Sequence, residues 1–446
     1  MKTYQDLILA GESERNRMIF VANAIREHGM SREYRMARDA ELYYKQENPT
    51  ITRYQKIVYD LLGRPVVDSL SANHKIASNW YFYFTVQAVQ YLLGNGVTFK
   101  DAATKERLGK DFDSKLQKLA TYAKNGGVAY AFFNVDHLDI FRATEFVPLL
   151  DEETGALRAG IRFWRIDKDK PLRATLYEED GYTEYIRREG DDMQVFADKR
   201  KYQETVYTNE VGTEILEAQN YPGFPIVPLW NINRQSDLVG KRGVIDAYDL
   251  MASKLVNNVS EGDLIYWVLK NADGMDDLDD IQFVERLRTI HVAHTNGSGA
   301  DVESHKVEAP YEANEVALNQ LKGQLFADFM ALNVEQIQAG NVTATQIMAA
   351  YEPLNQKTDL FEYEVIDFIQ AILTLAGIDD EPTFKRSQIA NQAEEVQKVL
   401  MAAPYLDDET ILNKLSFLTQ EEVETILQRR DAEGLRRMTG EEPMEE

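Results

Sequence analysis

The hydrophobic period of this chain changes twice, and each change limits what can fold around it. From Tyr4 to about Leu93, and again from "DAATKERLGK" to about Lys124, apolar residues recur at helical spacing. The motif "KNGG" (Lys124 to Gly127) supplies a glycine that stops the second stretch. The pattern then alternates through "VAYAFFNVD", "IFRATEFVPLL", "GALRAGIRFWRID", "LRATLYEED", "YTEYIRREG", "MQVFAD" and "YQETVYT". Short runs separated by Asp, Glu and Gly turns predict an antiparallel meander. Arginine and glutamate interleaved with the apolar residues predict that one face of it meets solvent. A helical period returns at Val244, so the class is α+β.

The returning helix, "VIDAYDLMASKLVNNVSEGDLIYW" (Val244 to Trp267), carries an apolar or small stripe at Ile245, Tyr248, Ala252, Leu255, Val259, Gly262 and Tyr266. That spacing is the seam of a helix packed lengthwise on a neighbour. Asn257, Asn258, Ser260, Glu261 and Asp263 stand where a helix buried all round would carry leucines. An acidic loop, "NADGMDDLDD", and a glycine-interrupted segment up to residue 310 predict a compact α/β insert. A second long helix follows from Tyr311 to Leu332, then a break at "NVEQIQAGNVTATQ". A further helix runs from about Thr345 to Ala376, with Pro353 inside it, and the tail from Ser387 to Arg437 is again helical. A helical hairpin packed on its own chain is the plainest account of the two long helices.

At 446 residues and 44 % apolar content the chain has material for two to four domains with real cores. The balance of 49 basic against 74 acidic residues, a net charge of −25, speaks against tight static binding to nucleic acid phosphates. With no cysteine, disulfides, thiolate metal sites and cysteine catalysis are excluded. No charged-then-apolar leader opens the chain and no apolar run approaches the roughly 18 residues of a membrane span. No membrane partner and a cytoplasmic place, or a particle assembled there, are expected.

A search for chemistry finds little. His291 and His294 fall on opposite faces of an expected strand, and no HExxH spacing occurs. The five aspartates Asp273, Asp276, Asp277, Asp279 and Asp280 fail the calcium-loop pattern and read as a solvated acidic loop. "LVGKRG" (Leu238 to Gly243) lacks the spacing of a phosphate loop, and no GxSxG elbow is present. No catalytic residue, metal or cofactor is expected.

Five stretches nevertheless resemble the portal proteins of tailed bacteriophages, siphophage type: "LLGRPVV" (Leu61 to Val67), "YAKNGGVAYAFF" (Tyr122 to Phe133), "FPIVPLWNI" (Phe224 to Ile232), "VIDAYDLMASKLVN" (Val244 to Asn257) and "ATQIMAAYEPL" (Ala344 to Leu354). The resemblance extends from about residue 40 to about 430. The Tyr-Asp helix preceded by a Pro-Val-Pro strand is its most specific element. One departure is Val342-Thr343-Ala344-Thr345, where relatives carry Ser-Gly-x-Ala.

The resemblance implies a non-enzymatic ring, a dodecamer in the virion, with a helix-rich wing holding the meander (1–242, returning at 345–380). It places stem helices at 243–270 and 311–332, a small α/β clip at 271–310, a tunnel loop at 333–344 and a helical crown with the tail at 381–446. It implies a channel at one capsid vertex for packaging and ejecting double-stranded DNA without sequence preference. The implied partners are a terminase large subunit, a head-completion adaptor, and the major capsid and scaffolding proteins, with assembly in the host cytoplasm. Twelve stem helices about 10 Å apart leave a bore of roughly 28 Å, wide enough for a duplex. The residues it points to are Lys254, Asn257, Asn258, Glu261 and Lys322 for the stem wall. For the tunnel loop they are Gln336, Gln338, Asn341, Val342 and Thr343, and for partner docking in the clip Asp273, Asp276, Asp277, Asp279 and Asp280. Two other readings are a metal-dependent nuclease using the aspartate cluster and a capsid or scaffolding component without a channel.

Overall fold

The computed structural model describes residues 2–59, 63–68, 72–208, 214–261, 265–270, 301–306, 311–335, 344–387, 399, 401–415, 423 and 425–430. They fall into two compact units, Met1–Asn333 with Pro353–Lys385, and Val334–Glu352 with Arg386–Glu446.

The first unit begins with helices. Thr3 and Asp6 form a capping box that opens α1 (Tyr4–Ala10). Next come α2 (Glu14–Met30), α3 (Arg32–Tyr44) and the short α4 (Pro49–Thr52). The helical period expected up to Leu93 is then interrupted by a hairpin, β1 (Ile57–Tyr59) with β2 (Pro65–Val67), and an extended stretch before α5 (Trp80–Leu93). β-branched residues on both sides of a Gly-Arg-Pro turn outweigh the helical reading there. After β3 (Val97–Thr98) and α6 (Ala102–Leu108), α7 (Phe112–Gly126) stops at Gly127 as its sequence predicts. Gly127 is left-handed at φ 80°, and a Cβ there would meet the backbone of Gln235.

The alternating block divides into more sheets than one meander. β4 (Val128–Asn134) and β5 (His137–Arg142) join a strand from the connector, β13 (Ile226–Trp230), in the order β13-β4-β5. A meander of five follows: β6 (Phe146–Leu150), β7 (Leu157–Trp164), β8 (Leu172–Glu178), β9 (Gly181–Arg187) and β10 (Gln194–Arg200). β11 (Gln203–Thr208) and β12 (Glu214–Gln219) form a hairpin of their own. One face of the meander buries Val147, Leu149, Ile161 and Leu176 against Leu7, Phe20, Val21 and Ala24 of α1 and α2.

The other face departs from the expected solvated one. Phe146 and Tyr177 pack on Tyr130, Phe132 and Phe141 of the three-stranded sheet. The alternating arginines cover rings: Arg162 lies over Phe141 and Trp164, and Arg173 over Phe196. Stacking on a ring lets each guanidinium stay half-buried, while Phe196, 51 % exposed, keeps that end of the face partly open to water. Gly160 on β7 is needed because a Cβ would collide with the Phe146 ring.

Beyond the connector, α8 (Arg242–Glu261) ends before the expected helix does. Ile265–Lys270 is a strand, β14, paired antiparallel with β15 (Asp301–Lys306). The aromatic and β-branched "IYWV" after Gly262 favours strand over a continued helix. α9 (Tyr311–Asp328) packs along α8, and α10 (Ala344–Ala376) contains Pro353. From that proline on, Phe361, Val365, Phe368, Ile369 and Ile372 of α10 complete the core of the three-stranded sheet together with Leu116, Leu119 and Ala123 of α7. The edge strand β16 (Thr383–Phe384) pairs with β3. In the second unit, residues 344–352 belong to α10, and α11 (Asp408–Lys414) is capped by the Asp407 side chain.

His28 fastens α2 to the turn between β5 and β6. Its Nε2 lies 2.8 Å from the Ala143 carbonyl, and its ring packs edge-on against Tyr34 and Phe163. Burial, opposed by that hydrogen bond, lowers its pKa below the ordinary 6.5. The unfolded chain therefore binds the extra proton more readily, so His28 costs stability as pH falls below about 6.5. Urea unfolding from about pH 7 to about pH 5 is expected to show a steeper loss in the native chain than in His28→Gln.

Candidate functional site

The two long helices rise from a buried root. Asp237, at the end of the connector, accepts from Asn231 Nδ2 at 2.8 Å and pairs with Lys357 Nζ at 2.8 Å and Lys124 Nζ at 3.8 Å. Its backbone is held as well: its amide donates to the Lys124 carbonyl, and Lys241 Nζ donates to its carbonyl at 2.9 Å. Lys357 also donates to the Phe329 carbonyl just beyond α9, and Lys124 lies over the Phe361 ring. The C-terminus of α7, the connector, the approach to α8 and the middle of α10 meet at this one residue, and Lys357 carries the tie on to the end of α9.

Burial alone would raise the Asp237 carboxyl, but Lys124, Lys357 and Lys241 together outweigh it and hold it far below the usual carboxylate range. Burial, with Lys357 and Lys241 set against Asp237, pushes Lys124 down to about 8. Aromatic rings wrap the root. Trp80 stacks on Phe84 and meets Tyr248 and Phe326 edge-on, while Phe84 stacks on Phe329 at 4.6 Å. Gln87 clamps both backbone groups of Leu332 at 3.0 Å each, just before the expected tunnel loop.

A second device runs along α8. Asp249, Ser253 and Asn257 accept the backbone amides of Ser78, Ile76 and His74 at 3.0, 2.9 and 2.7 Å. The register has a simple cause: four helical residues rise about 6 Å and two extended residues advance about 6.6 Å, so every second amide meets the next acceptor. The ladder continues at the helix start. Asp246 accepts from Tyr43, Asn48 and Thr50, and Asn48 bridges to Asp249. Burial, then the bond to Asp246, pushes the Tyr43 hydroxyl up to about 12. Burial likewise raises the Asp249 carboxyl. The Tyr-Asp pair is thereby accounted for: Tyr248 enters the aromatic root and Asp249 holds the extended stretch.

α8 thus has three faces. Ile245, Tyr248, Ala252 and Leu255 lie on the side of α9, and Asp246, Asp249, Ser253 and Asn257 form the ladder about a third of a turn away. Lys254 is exposed on the remaining face, and Asn258 is half-buried. Of the expected wall residues, Asn257 is engaged by His74 within the chain, Glu261 is the last residue of α8, and Lys322 is half-buried on α9. Gln336, Gln338, Asn341, Val342 and Thr343, and Asp273, Asp276, Asp277, Asp279 and Asp280, lie outside the described residues.

Sequence reading missed the root. Lys124 reads as an ordinary basic residue at a helix end, and nothing local to Asp237 or Lys357 predicts that they meet. Among the described residues no group of three or more His, Asp or Glu is placed to hold a metal ion, and no helix is long and apolar enough to cross a membrane.

The chain combines a connector strand, a rooted helix pair and a strand pair between the helices, and its family match shows the class: it belongs to the phage portal proteins. The family model it matches, over residues 24–434, is described as "Phage portal protein, SPP1 Gp6-like". It is 26 % identical over 415 residues to the portal protein of Bacillus phage SPP1, covering 86 % of this chain and 80 % of that one. It is 23 % identical over 418 residues to the portal protein of Clostridium phage phiCD119, covering 86 % and 88 %. A distant likeness is found to a chain in the solved structure titled "Neck of native GTA particle computed with C12 symmetry", at TM-score 0.40 and 11 % identity over 77 % of this chain and 91 % of that one. Portal proteins are structural components of the virion at the capsid vertex.

Asp249→Ala leaves the Ser78 amide and one Asn48 donor without their acceptor, a loss of about 1–3 kcal/mol. Urea unfolding is expected to show that loss, and amide exchange is expected to quicken at Ile76 and Ser78 ahead of the rest of the unit.

Proposed function

We propose that copies of this chain close into a ring, twelve in the virion, whose α8–α9 pairs stand around a central channel for double-stranded DNA. The observation that carries this is the helix pair itself: it is fixed at its base by Asp237, yet among the described residues one face of α8, with Lys254, stays outside every core. A helix anchored this firmly while presenting a polar face suits a wall rather than a core. Lys254, Asn258, Glu261 and Lys322 are then wall residues, and Asn257 is a wall residue that also holds His74.

The proposal extends to the parts beyond the described residues. Gln336, Gln338, Asn341, Val342 and Thr343 approach the passing duplex, and uncharged groups there avoid a salt-dependent grip on phosphates. The net charge of −25 serves the same end by keeping DNA mobile in the channel. Asp273, Asp276, Asp277, Asp279 and Asp280 dock a basic surface of the terminase large subunit during packaging and of a head-completion adaptor afterwards. The capsid and scaffolding proteins hold the outside of the ring, which assembles in the host cytoplasm. The hydrolysis that drives packaging belongs to the terminase, so the portal itself is not an enzyme.

Negative-stain electron microscopy of the purified protein, with its solution mass measured alongside, tests the ring. Closed rings of twelve or thirteen subunits with a stain-filled centre are expected. A stable monomer that cleaves DNA with Mg²⁺ would contradict the proposal and favour the nuclease reading.

A further inference from the structure

Two surfaces of the first unit carry exposed apolar side chains that no core among the described residues covers. On the β1–β2 hairpin, Ile57 is 56 % exposed, Val66 48 % and Val67 50 %. The register pairs Ile57 with Val67 and Val58 with Val66, so apolar residues emerge on both faces of the ribbon. The hairpin forms a two-stranded sheet by itself, and such a ribbon is marginal in water unless something packs on it. Its base is nevertheless held firmly: the Asp68 amide donates to the Lys56 carbonyl, and the following stretch is bound to α8 by the amides of His74, Ile76 and Ser78. An apolar ribbon presented on a fixed base is a docking element.

The second surface is the outer face of α10. Leu360 is 57 % exposed and Tyr363 68 %, one turn apart, with Asp359 and Asp367 exposed beside them. The stretch 359–367, "DLFEYEVID", has four acidic residues and no basic one. The hairpin stretch 53–68 has the opposite balance, three basic residues against two acidic, in a chain whose net charge is −25. The two surfaces therefore match in both apolar character and charge.

A ring of identical copies is closed by head-to-tail contacts, which require two different and complementary patches on each copy. We infer that the β1–β2 hairpin of one copy seats on the outer face of α10 of the next, with Ile57 and Val67, which share one face of the ribbon, covering Leu360 and Tyr363. This contact rests on the ring reading above and names the surfaces that make it. The exposed apolar residues of both surfaces are buried only in the assembly, and the opposite charges set which copy faces which.

The absence of cysteine allows a direct test. In full-length protein, Val67→Cys combined with Tyr363→Cys is treated with a short bismaleimide spacer and run on a denaturing gel. The expected result is a ladder of covalent multimers climbing in steps of one chain, while each single variant stops at dimers or below. Solution mass of the untreated double variant is measured in parallel. Rings of normal mass with no ladder overturn this contact and leave the ring intact, and a monomeric native chain overturns the ring reading itself. Val67→Asp provides a second check: it is expected to shift rings toward monomers with unchanged circular dichroism. Unchanged ring mass in that variant counts against the contact.

Discussion

Asp237, its carboxylate paired with Lys124 and Lys357 and its carbonyl held by Lys241, is the point at which the connector after β13, both long helices and α10 are tied together. A buried ion pair is seldom worth more than well-packed apolar residues of the same size, because desolvation offsets most of the attraction. Its value lies in direction. A hydrophobic contact tolerates sliding, whereas Lys357 reaching both Asp237 and the Phe329 carbonyl fixes where α9 ends relative to α10. Removing the carboxylate would leave the Lys124, Lys241 and Lys357 ammonium groups near one another without their counter-charge in a largely buried site.

From that root the remaining features follow in order. The aromatic group of Trp80, Phe84, Tyr248, Phe326 and Phe329 fills the space around it. The ladder of Asp249, Ser253 and Asn257 then fixes the stretch 74–78 along α8 and with it the base of the β1–β2 hairpin. The base of the helix pair and its exposed face carry separate tasks. In this chain the rigid contacts are carried by buried acids at the base of the helix pair, and the exposed face of α8 takes no part in them.

Much of the scaffold was legible. Alternation located the strands β4 to β11, Gly127 stopped α7, and the last long helix ran to Ala376 as its period implied. Three things were not legible, each for a physical reason. Alternating arginines were read as a solvated face because a pattern of charge does not show that Arg162 lies on Phe141 and Trp164. The polar groups of α8 imply a channel wall, and the further role of Asn257 in the ladder is visible only once His74 is beside it. The seam through Gly262 and Tyr266 extends the helical period to Trp267, where the β propensity of Ile265–Val268 prevails instead. The root itself joins residues far apart in the chain, and no local period announces such a meeting.

A double-mutant cycle between Asp237→Asn and Lys357→Met, followed by urea unfolding, tests the central claim most directly. If Asp237 is the tie, each single change is strongly destabilising, and the pair costs at least about 1 kcal/mol less than the sum of the two. Additivity to within about 0.5 kcal/mol would contradict it, leaving the two long helices rooted by apolar packing alone.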